Sequence, residues 1–242
     1  DRVAELVEKH VNINRLLELT KPVATAVVPI SAGRHIYKRE PSFPIAVACD
    51  PAFNFVYEAN IRYLHHLGEV TYFSPLADTS LPDVGFVYLP GGYPELYLAA
   101  LSANRQMLQS IRRYVESGGK LLAECGGMMY LCDEIRDKNG DVYPMAGVLH
   151  QSATMENMKL RLGYRTLLYN ETRLKGHEFH YSRLVEQQNP LPSCAVAYTA
   201  KGVETDTPLY HYKNVWAGYT HLYWADPVGN EWFTKFVIDG NT

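Results

Sequence analysis

The sequence has no strong excess of either charge. Its 242 residues carry 23 Lys and Arg against 26 Asp and Glu, a formal net charge of −3, and no run is rich in Lys or Arg. A basic surface that would attract nucleic acid is therefore not expected. No apolar stretch approaches the ~18 residues that a membrane-spanning helix needs, and no signal peptide is visible. We therefore expect neither a nucleic acid nor a membrane as a partner.

Cysteine is scarce and irregularly spaced. The four cysteines occupy positions 49, 125, 132 and 194 and form no CxxC pair. That pattern suits a reducing compartment better than a disulfide framework, so we expect a cytoplasmic protein. The sequence also contains no Walker A motif and no GxGxxG after an expected strand, so nucleotide binding by this chain is not predicted.

Two regions of different composition are present. Residues 3–19 carry apolar side chains at roughly helical spacing, which predicts an amphipathic helix or helix pair. The residues that follow are rich in Pro, Ser and basic side chains and predict a linker at about 30–42. We therefore expect the end of another domain over 1–42 and a main domain over 43–240. Because the chain begins with Asp1 rather than Met, we expect a piece of a longer protein.

Within the main domain, apolar runs alternate with helical patterns. Strands are predicted at 45–49, 70–73, 84–89 and 120–123, with helices at 57–67 and 96–117. This alternation predicts an α/β fold, a parallel or mixed sheet with helices on both faces. Further along, we expect short additional strands at 164–169, 176–181 and 195–199, a strand at 215–221 and a closing helix at 232–238.

Cys125 lies at the centre of this pattern. It follows the strand at 120–123 almost at once and precedes Gly126-Gly127 and an apolar stretch that can begin a helix. A sharp strand-to-helix turn with a reactive side chain at its apex is a nucleophile elbow. The N–H groups of the following helix would favour the thiolate. The alternative is that Cys125 is a small buried apolar residue beside a Gly-rich turn.

Gly91-Gly92 also follows a predicted strand. Ligands bind at the carboxyl ends of parallel strands, so Gly91-Gly92 and Cys125 are expected at one edge of the sheet. Backbone N–H groups at that edge can hold an oxyanion. An ordinary strand-to-helix turn is the alternative.

A cysteine nucleophile needs a base, and imidazole is the usual one. His221 ends an apolar strand, which would bring it to the same edge. In Gly176 to Ser182, a strand would place His177 and Phe179 on one face and Glu178 and His180 on the other. The His-Glu-x-His spacing is one residue short of HExxH and no third ligand is suggested, so no metal site is predicted.

Several ordered motifs resemble those of one family. They are Leu89-Pro90-Gly91-Gly92-Tyr93-Pro94-Glu95, Ala123-Glu124-Cys125-Gly126-Gly127-Met128-Met129-Tyr130-Leu131, Gly176-His177-Glu178-Phe179-His180-Tyr181-Ser182 and Tyr219-Thr220-His221, with supporting matches in 50–60 and 73–76. Over about 43–240 they resemble the C-terminal class I glutamine amidotransferase domain of the cobyrinic acid a,c-diamide synthases. Residues 1–20 resemble the end of that family's ATP-dependent synthetase domain.

The resemblance implies a flavodoxin-like class I glutaminase that supplies ammonia for amidation of the a and c carboxylates of cobyrinic acid. Cys125 would be the nucleophile, His221 its activating group, and Gly91, Gly92 and Gly126 the oxyanion and glutamine-binding positions. Class I domains usually carry His-x-Glu, whereas this chain has His221-Leu222-Tyr223, as in the vitamin B12 branch of the family. What orients His221 is therefore open, with Glu178 and His180 as candidates.

The implied partners are glutamine, the upstream synthetase domain and its tetrapyrrole acid. No cofactor is implied for this chain, whereas ATP and Mg²⁺ would serve the synthetase domain. Two alternatives stay open. The domain could belong to a cobyric acid synthase or a nickel-sirohydrochlorin a,c-diamide synthase, or it could be a non-catalytic binding module that retains the fold.

Overall fold

The computed structural model describes residues 2–20 and 43–239. The chain divides into two compact units, 1–40 and 41–242. In the first unit, α1 (Arg2–His10) and α2 (Ile13–Leu19) form the predicted helix pair, and the Asn12 side chain caps α2 by accepting the Arg15 N–H at 2.9 Å. The linker predicted at 30–42 lies outside the described residues.

The second unit contains five helices and fifteen strands among the described residues. The helices are α3 (Glu58–Leu67), α4 (Leu98–Ala103), α5 (Arg105–Glu116), α6 (Gly126–Leu131) and α7 (Pro227–Thr234), with a 3₁₀ turn at Pro94–Leu96 and a π-helical turn at Lys235–Asp239. The strands are β1 (Phe43–Ala48), β2 (Gly68–Phe73), β3 (Phe86–Leu89), β4 (Lys120–Glu124), β5 (Glu134–Arg136), β6 (Val142–Pro144), β7 (Ser152–Thr154), β8 (Arg161–Tyr169), β9 (Thr172–His180), β10 (Arg183–Leu184), β11 (Val196–Thr199), β12 (Glu204–Thr205), β13 (Leu209–Tyr212), β14 (Val215–Gly218) and β15 (His221–Leu222).

A six-stranded sheet forms the centre of this unit, in the order β13-β14-β4-β3-β1-β2. All neighbouring pairs are parallel except β13 with β14, which are antiparallel. Alternate side chains of each strand point to opposite faces. Val87 belongs to the apolar cluster that includes α4, α5 and α6, whereas Tyr88 belongs to the cluster that includes α3 and α7. The predicted mixed sheet with helices on both faces is confirmed.

Two smaller sheets follow. One has the order β10-β7-β5-β6 and the other the order β12-β11-β8-β9-β15. The β8–β9 hairpin dominates the second, with nine residue pairs from Arg161↔His180 to Tyr169↔Thr172. The short strands predicted at 164–169, 176–181 and 195–199 are thus present and pair antiparallel, although β8 and β9 begin earlier than predicted.

The single helix predicted at 96–117 is wrong. Asn104 separates α4 from α5, because its side chain makes local and long-range hydrogen bonds in place of a continued helix. The Asn104 amide donates to Pro75 O and Asp78 O, both at 2.8 Å, and its oxygen accepts the Met107 N–H at 3.4 Å. The helix predicted at 232–238 also begins earlier, because Asp226 caps α7 and Pro227 is its first residue.

The strand predicted at 215–221 is wrong in a way that matters for the site. Strand β14 ends at Gly218, opposite Glu124, where its parallel partner β4 also ends. With no partner left, the chain leaves this sheet, and His221 pairs instead with His177 of β9 in the five-stranded sheet. His221 therefore does not end a strand of the parallel sheet, which was the basis for predicting it at that edge.

Candidate active site

Cys125 occupies a sharp turn between β4 and α6. Its backbone has φ 48° and ψ −106°, a conformation that residues other than glycine rarely adopt. The turn is held on both sides, because the Cys125 N–H donates to Gly218 O at 2.7 Å and its carbonyl accepts the Met129 N–H at 3.0 Å. A strained strand-to-helix turn that presents the residue at its apex is the geometry of a nucleophile elbow.

Glycine at position 127 lets α6 approach the sheet closely. A Cβ there would lie 2.1 Å from the carbonyl oxygen of Leu89, the last residue of β3. Only a residue without a side chain fits this approach. The end of β3 is thereby packed against the start of α6, and Gly91-Gly92 lies close to the elbow.

Cys125 and His221 line the same cavity. This cavity has a volume of about 260 Å³, and its other lining residues are Phe55, Gly92, Tyr93, His177 and Phe179. A narrow neighbouring cavity also reaches Cys125 and is lined by Glu95, His180 and Ser182 among others. Although the sequence basis for predicting His221 was wrong, the structure places it in the same cavity as the cysteine, from the five-stranded sheet.

The imidazole of His221 is enclosed by its neighbours. The ring centroids of His221 and Phe55 are 4.4 Å apart, and those of His221 and His177 are 5.9 Å apart. A Cβ at Gly91 would lie 2.1 Å from His221 Cε1. The side chain is 3 % exposed, and its Nδ1 has no hydrogen-bond partner in the described part of the chain.

Burial keeps both side chains neutral in the free protein. It lowers the pKa of His221 to about 3, with a smaller effect from His177 and His180. It raises the pKa of Cys125 to about 12, helped by the nearby carboxylate of Glu95. The Gly126 N–H at the start of α6 lowers this pKa, but less than burial raises it. The start of α6 therefore favours the thiolate, as expected, but burial has the larger effect in the free protein.

The three candidate glycines lie around the elbow. The backbone nitrogen of Gly92 lies 3.3 Å from the position that a Cβ would take at Gly126. No described residue accepts a hydrogen bond from the Gly92 N–H, whereas the next N–H, of Tyr93, donates to Ala52 O at 3.0 Å. The Gly92 nitrogen thus lies close to Gly126, the residue after Cys125, and Gly92 lines the same cavity as Cys125. Gly91 packs against His221 instead.

Glu178 and His180 have partners other than His221. The Glu178 carboxylate is fully buried and lies 2.7 Å from the Arg165 guanidinium. His180 stacks on Tyr219, with ring centroids 3.8 Å apart, and its Nδ1 lies 2.8 Å from Ser182 O. Neither side chain makes a hydrogen bond to His221 in the described residues.

Sequence reasoning missed three residues of this site. Phe55 packs against the imidazole, Glu95 lies in the neighbouring cavity, and Glu124 is a buried carboxylate directly before Cys125. Glu124 accepts hydrogen bonds from Tyr88 Oη at 2.6 Å and from the Leu222 N–H at 3.0 Å. Glu124 continues the apolar run of a buried strand, and a buried charged residue needs partners. This is the feature of the sequence that could have identified Glu124.

No group of three His, Cys, Asp or Glu side chains in residues 2–20 and 43–239 is arranged to hold a metal ion. Over the same residues, no helix combines the length and the apolar character that crossing a membrane requires. A larger cavity of about 470 Å³ lies at the β8–β9 turn and α7, and contains none of the candidate residues.

Comparison with known families gives a match over most of the main domain. Residues 44–228 match the CobB/CobQ-like glutamine amidotransferase domain. The hydrogenobyrinate a,c-diamide synthase of Pseudomonas aeruginosa is 40% identical over 185 residues, which are 74% of this chain and 41% of the relative. The cobyrinate a,c-diamide synthase of Clostridium acetobutylicum is 35% identical over 248 residues, 98% of this chain and 53% of the relative. The chain spans about half the length of these relatives.

Solved structures share the fold at low sequence identity. PurLQS from Thermotoga maritima matches with a TM-score of 0.55 and 16% identity, covering 82% of this chain and 99% of that one. A crystal structure of a glutamine amidotransferase matches with a TM-score of 0.52 and 16% identity, covering 80% of this chain and 98% of that one. These likenesses agree with the predicted class I glutaminase fold.

Proposed function

The chain belongs to the CobB/CobQ-like glutamine amidotransferase family, and on that premise we propose that Cys125 and His221 hydrolyse glutamine to glutamate and ammonia. The observation that carries this proposal is the backbone of Cys125, which has the elbow conformation and lies in the same cavity as His221. The φ of 48° is combined with a ψ of −106°, and strained backbone of this kind is concentrated at active sites.

In the proposed first step, Cys125 Sγ attacks the side-chain carbonyl carbon of glutamine while its proton passes to His221. A neutral thiol beside a neutral imidazole can make this transfer as the bond forms, because the imidazole is free to accept a proton. The new C–S bond gives a tetrahedral intermediate whose oxygen carries the negative charge. The N–H groups of Gly92 and Gly126 are the proposed donors to that oxygen, and one such donor contributes about 3 kcal/mol to lowering the barrier.

Collapse of the intermediate breaks the C–N bond. The protonated His221 gives its proton to the departing nitrogen, which leaves as ammonia, and a γ-glutamyl thioester remains on Cys125. His221 then removes a proton from water, which attacks the thioester and releases glutamate. The proton returns to the sulfur, so the site ends as it began.

For the longer protein we propose the activity after which the relatives are named. Ammonia would be used for ATP-dependent amidation of the a and c carboxylates of cobyrinic or hydrogenobyrinic acid, with ATP and Mg²⁺ bound by a synthetase domain outside 43–240. The support is that the matched relatives are named a,c-diamide synthases and that this chain spans about half of them. Residues 1–42 would then be the end of that synthetase domain and a linker. Four free cysteines support a cytoplasmic location.

Because the matching family also includes CobQ-like proteins, a cobyric acid synthase remains the second candidate. The two are separated by giving the full-length protein ATP, Mg²⁺ and glutamine with either cobyrinic acid or its a,c-diamide. Conversion of the first acceptor supports the proposal, and conversion of the second alone would replace it.

The glutaminase itself is tested by glutamate release from the wild-type chain and from Cys125→Ser and Cys194→Ser. Cys194 is the matched control, because it is a free cysteine outside the cavity. Loss of glutamate release in Cys125→Ser alone is the expected result. Equal release from Cys125→Ser and the wild type would overturn the proposal and favour a binding module.

A further inference from the structure

The imidazole of His221 lacks the carboxylate that would usually orient it. Its Nδ1 has no hydrogen-bond partner among the described residues. Neither Glu178, which lies beside the Arg165 guanidinium, nor His180, whose Nδ1 lies 2.8 Å from Ser182 O, makes a hydrogen bond to it. A general base must nevertheless be held within hydrogen-bond reach of the group that it deprotonates. Something other than a bond to the ring must therefore fix its position.

The residue after His221 is held through its backbone N–H. Leu222 N donates to Glu124 Oε1 at 3.0 Å, and the other carboxylate oxygen accepts from Tyr88 Oη at 2.6 Å. Glu124 is 2 % exposed and directly precedes Cys125. The Glu124 carboxyl group, directly before Cys125, is thus hydrogen-bonded to Leu222, directly after His221. Glu124 lies in the six-stranded sheet and Leu222 in the five-stranded sheet.

The carbonyl of the same residue is held from another element. Asn60 Nδ2, on α3, donates to Leu222 O at 2.8 Å, and Asn60 Oδ1 accepts the Trp224 N–H at 2.9 Å. Asn60 is fully buried. The N–H and the carbonyl of Leu222 are therefore both hydrogen-bonded to buried side chains. Losing either hydrogen bond would be costly, because it would leave an unpaired polar group in the interior.

Packing completes the restraint on the ring. Phe55 packs against the imidazole, and Gly91 leaves no room for it to move towards β3. Short strand β15 has only two residues, so its pairing with β9 alone fixes His221 weakly. Hydrogen bonds from β4 and α3 supply the missing constraint.

We propose that Glu124 and Asn60 are positioning residues, which hold His221 against Cys125 by fixing the Leu222 backbone and so replace the carboxylate that would orient the ring. This inference rests on the glutaminase proposed above. The two residues touch neither glutamine nor the reacting atoms. They act through their hydrogen bonds, because burial raises the pKa of Glu124 to about 8 and leaves this group largely uncharged near neutral pH.

The key comparison is Glu124→Leu against Glu124→Gln. Glutamine keeps an oxygen for the Leu222 N–H and offers its amide to Tyr88 Oη, whereas leucine keeps the approximate size and removes both bonds. We expect Glu124→Leu to lower kcat about 100-fold, the effect of displacing a catalytic group by about 1 Å, with KM for glutamine unchanged. Glu124→Gln should keep most of the wild-type kcat.

Asn60→Asp gives a second measurement that does not depend on Glu124→Leu remaining folded. In this variant, a protonated carboxyl group at position 60 still donates to Leu222 O, and an ionised one cannot. The ratio of wild-type to variant kcat should therefore rise with pH. Tyr63→Phe is the matched control, because Tyr63 lies on the same helix and its hydroxyl contacts Asn230 O at 3.2 Å and Thr234, away from Leu222.

Two readouts do not depend on glutamine turnover. Hydrogen exchange at the Leu222 amide and ¹⁵N NMR of the His221 ring should change in Glu124→Leu and remain as in the wild type in Glu124→Gln and Tyr63→Phe. If the wild-type chain releases no glutamate, the proposed function fails while these readouts still test the positioning.

Two results would overturn the inference. One is a folded Glu124→Leu protein whose Leu222 amide exchanges freely but whose kcat equals that of the wild type. The other is an equal loss of kcat in Glu124→Gln and Glu124→Leu, because glutamine keeps the hydrogen bonds to which the inference assigns the effect.

Discussion

Gly91 lies directly against the imidazole of His221, so that a Cβ at position 91 would be 2.1 Å from Cε1 and 2.9 Å from Nδ1. Real Cβ atoms do not approach other atoms this closely, so the ring must move in Gly91→Ala. Because Phe55 packs against the same ring, it has little room to do so without leaving its position. The absence of a side chain at Gly91 is therefore a condition for the arrangement of the site.

We expect Gly91→Ala to lower kcat for glutamine hydrolysis about 100-fold in a folded protein, because a small displacement of the base has that effect. The measurement is steady-state glutamate release together with a thermal unfolding curve. Gly202→Ala is the control: its φ of 76° makes alanine strained there, so stability should fall, but no atom lies within 4 Å of the added Cβ and activity should be kept. Full activity in Gly91→Ala would mean that the ring position tolerates displacement.

Cys125 should be the only cysteine that reacts with a glutamine-analogue electrophile. It lines the cavity, whereas Cys132 is buried outside it and Cys49, although exposed, lies outside it as well. Peptide mass mapping after labelling identifies the modified residue, and added glutamine should protect it. Labelling chiefly at Cys132 or Cys194 contradicts the assignment.

The neutral resting pair predicts an unusual pH dependence for alkylation by a small neutral reagent such as iodoacetamide. With a pKa of about 12, the thiolate fraction of Cys125 grows about tenfold for each pH unit below that value. Its alkylation rate should therefore still rise at about pH 10, where a free thiol with a pKa near 8.5 has reached its plateau.

The same account predicts the acid side of the activity profile. With a pKa of about 3, His221 stays unprotonated as the pH falls from about 7 to about 5, so it should cause no loss of kcat/KM there. An alkylation plateau below about pH 8, or an acid limb near about 6.5 that His221→Ala removes, would instead indicate a thiolate–imidazolium pair in the free protein.

We predict that Tyr223 does not replace the missing triad glutamate. Its side chain is 39 % exposed and its ring packs against Tyr57, with centroids 5.8 Å apart. A neutral phenol also stabilises an imidazolium less than a carboxylate does. Tyr223→Phe should keep most of the activity, whereas His221→Ala should lose about 10²- to 10⁴-fold, the usual contribution of a general acid–base group. Equal losses in the two folded variants would show that the phenol is needed.

The central sheet could be predicted from the sequence because its strands are short apolar runs separated by clear breaks. Strand β4, the turn at Cys125 and helix α6 follow from local residue order, and local order is what periodicity reports. Asn104 could not be recognised as a helix break, since its partners Pro75 and Asp78 are distant in sequence. A side chain's long-range hydrogen bonds leave no local pattern.

The site was predicted in part for an incorrect reason. His221 was expected on the parallel sheet, but the chain changes sheets between Gly218 and His221, and its partner His177 is 44 residues earlier in the sequence. Glu124 and Asn60 were not predicted to act together, because their common partner is a backbone group of Leu222. Both points depend on contacts between residues that are distant in sequence, and no local pattern specifies such contacts.

The most direct test of the account is to trap the intermediate on Cys125. The wild-type chain is mixed with glutamine, quenched in acid within a turnover, digested and analysed by mass spectrometry. We predict one γ-glutamyl group attached to the peptide that contains Cys125, and none in Cys125→Ser. In His221→Ala, the adduct should form far more slowly than in the wild type. A wild-type chain that releases glutamate with no adduct at Cys125, or with the adduct on another cysteine, would contradict the account.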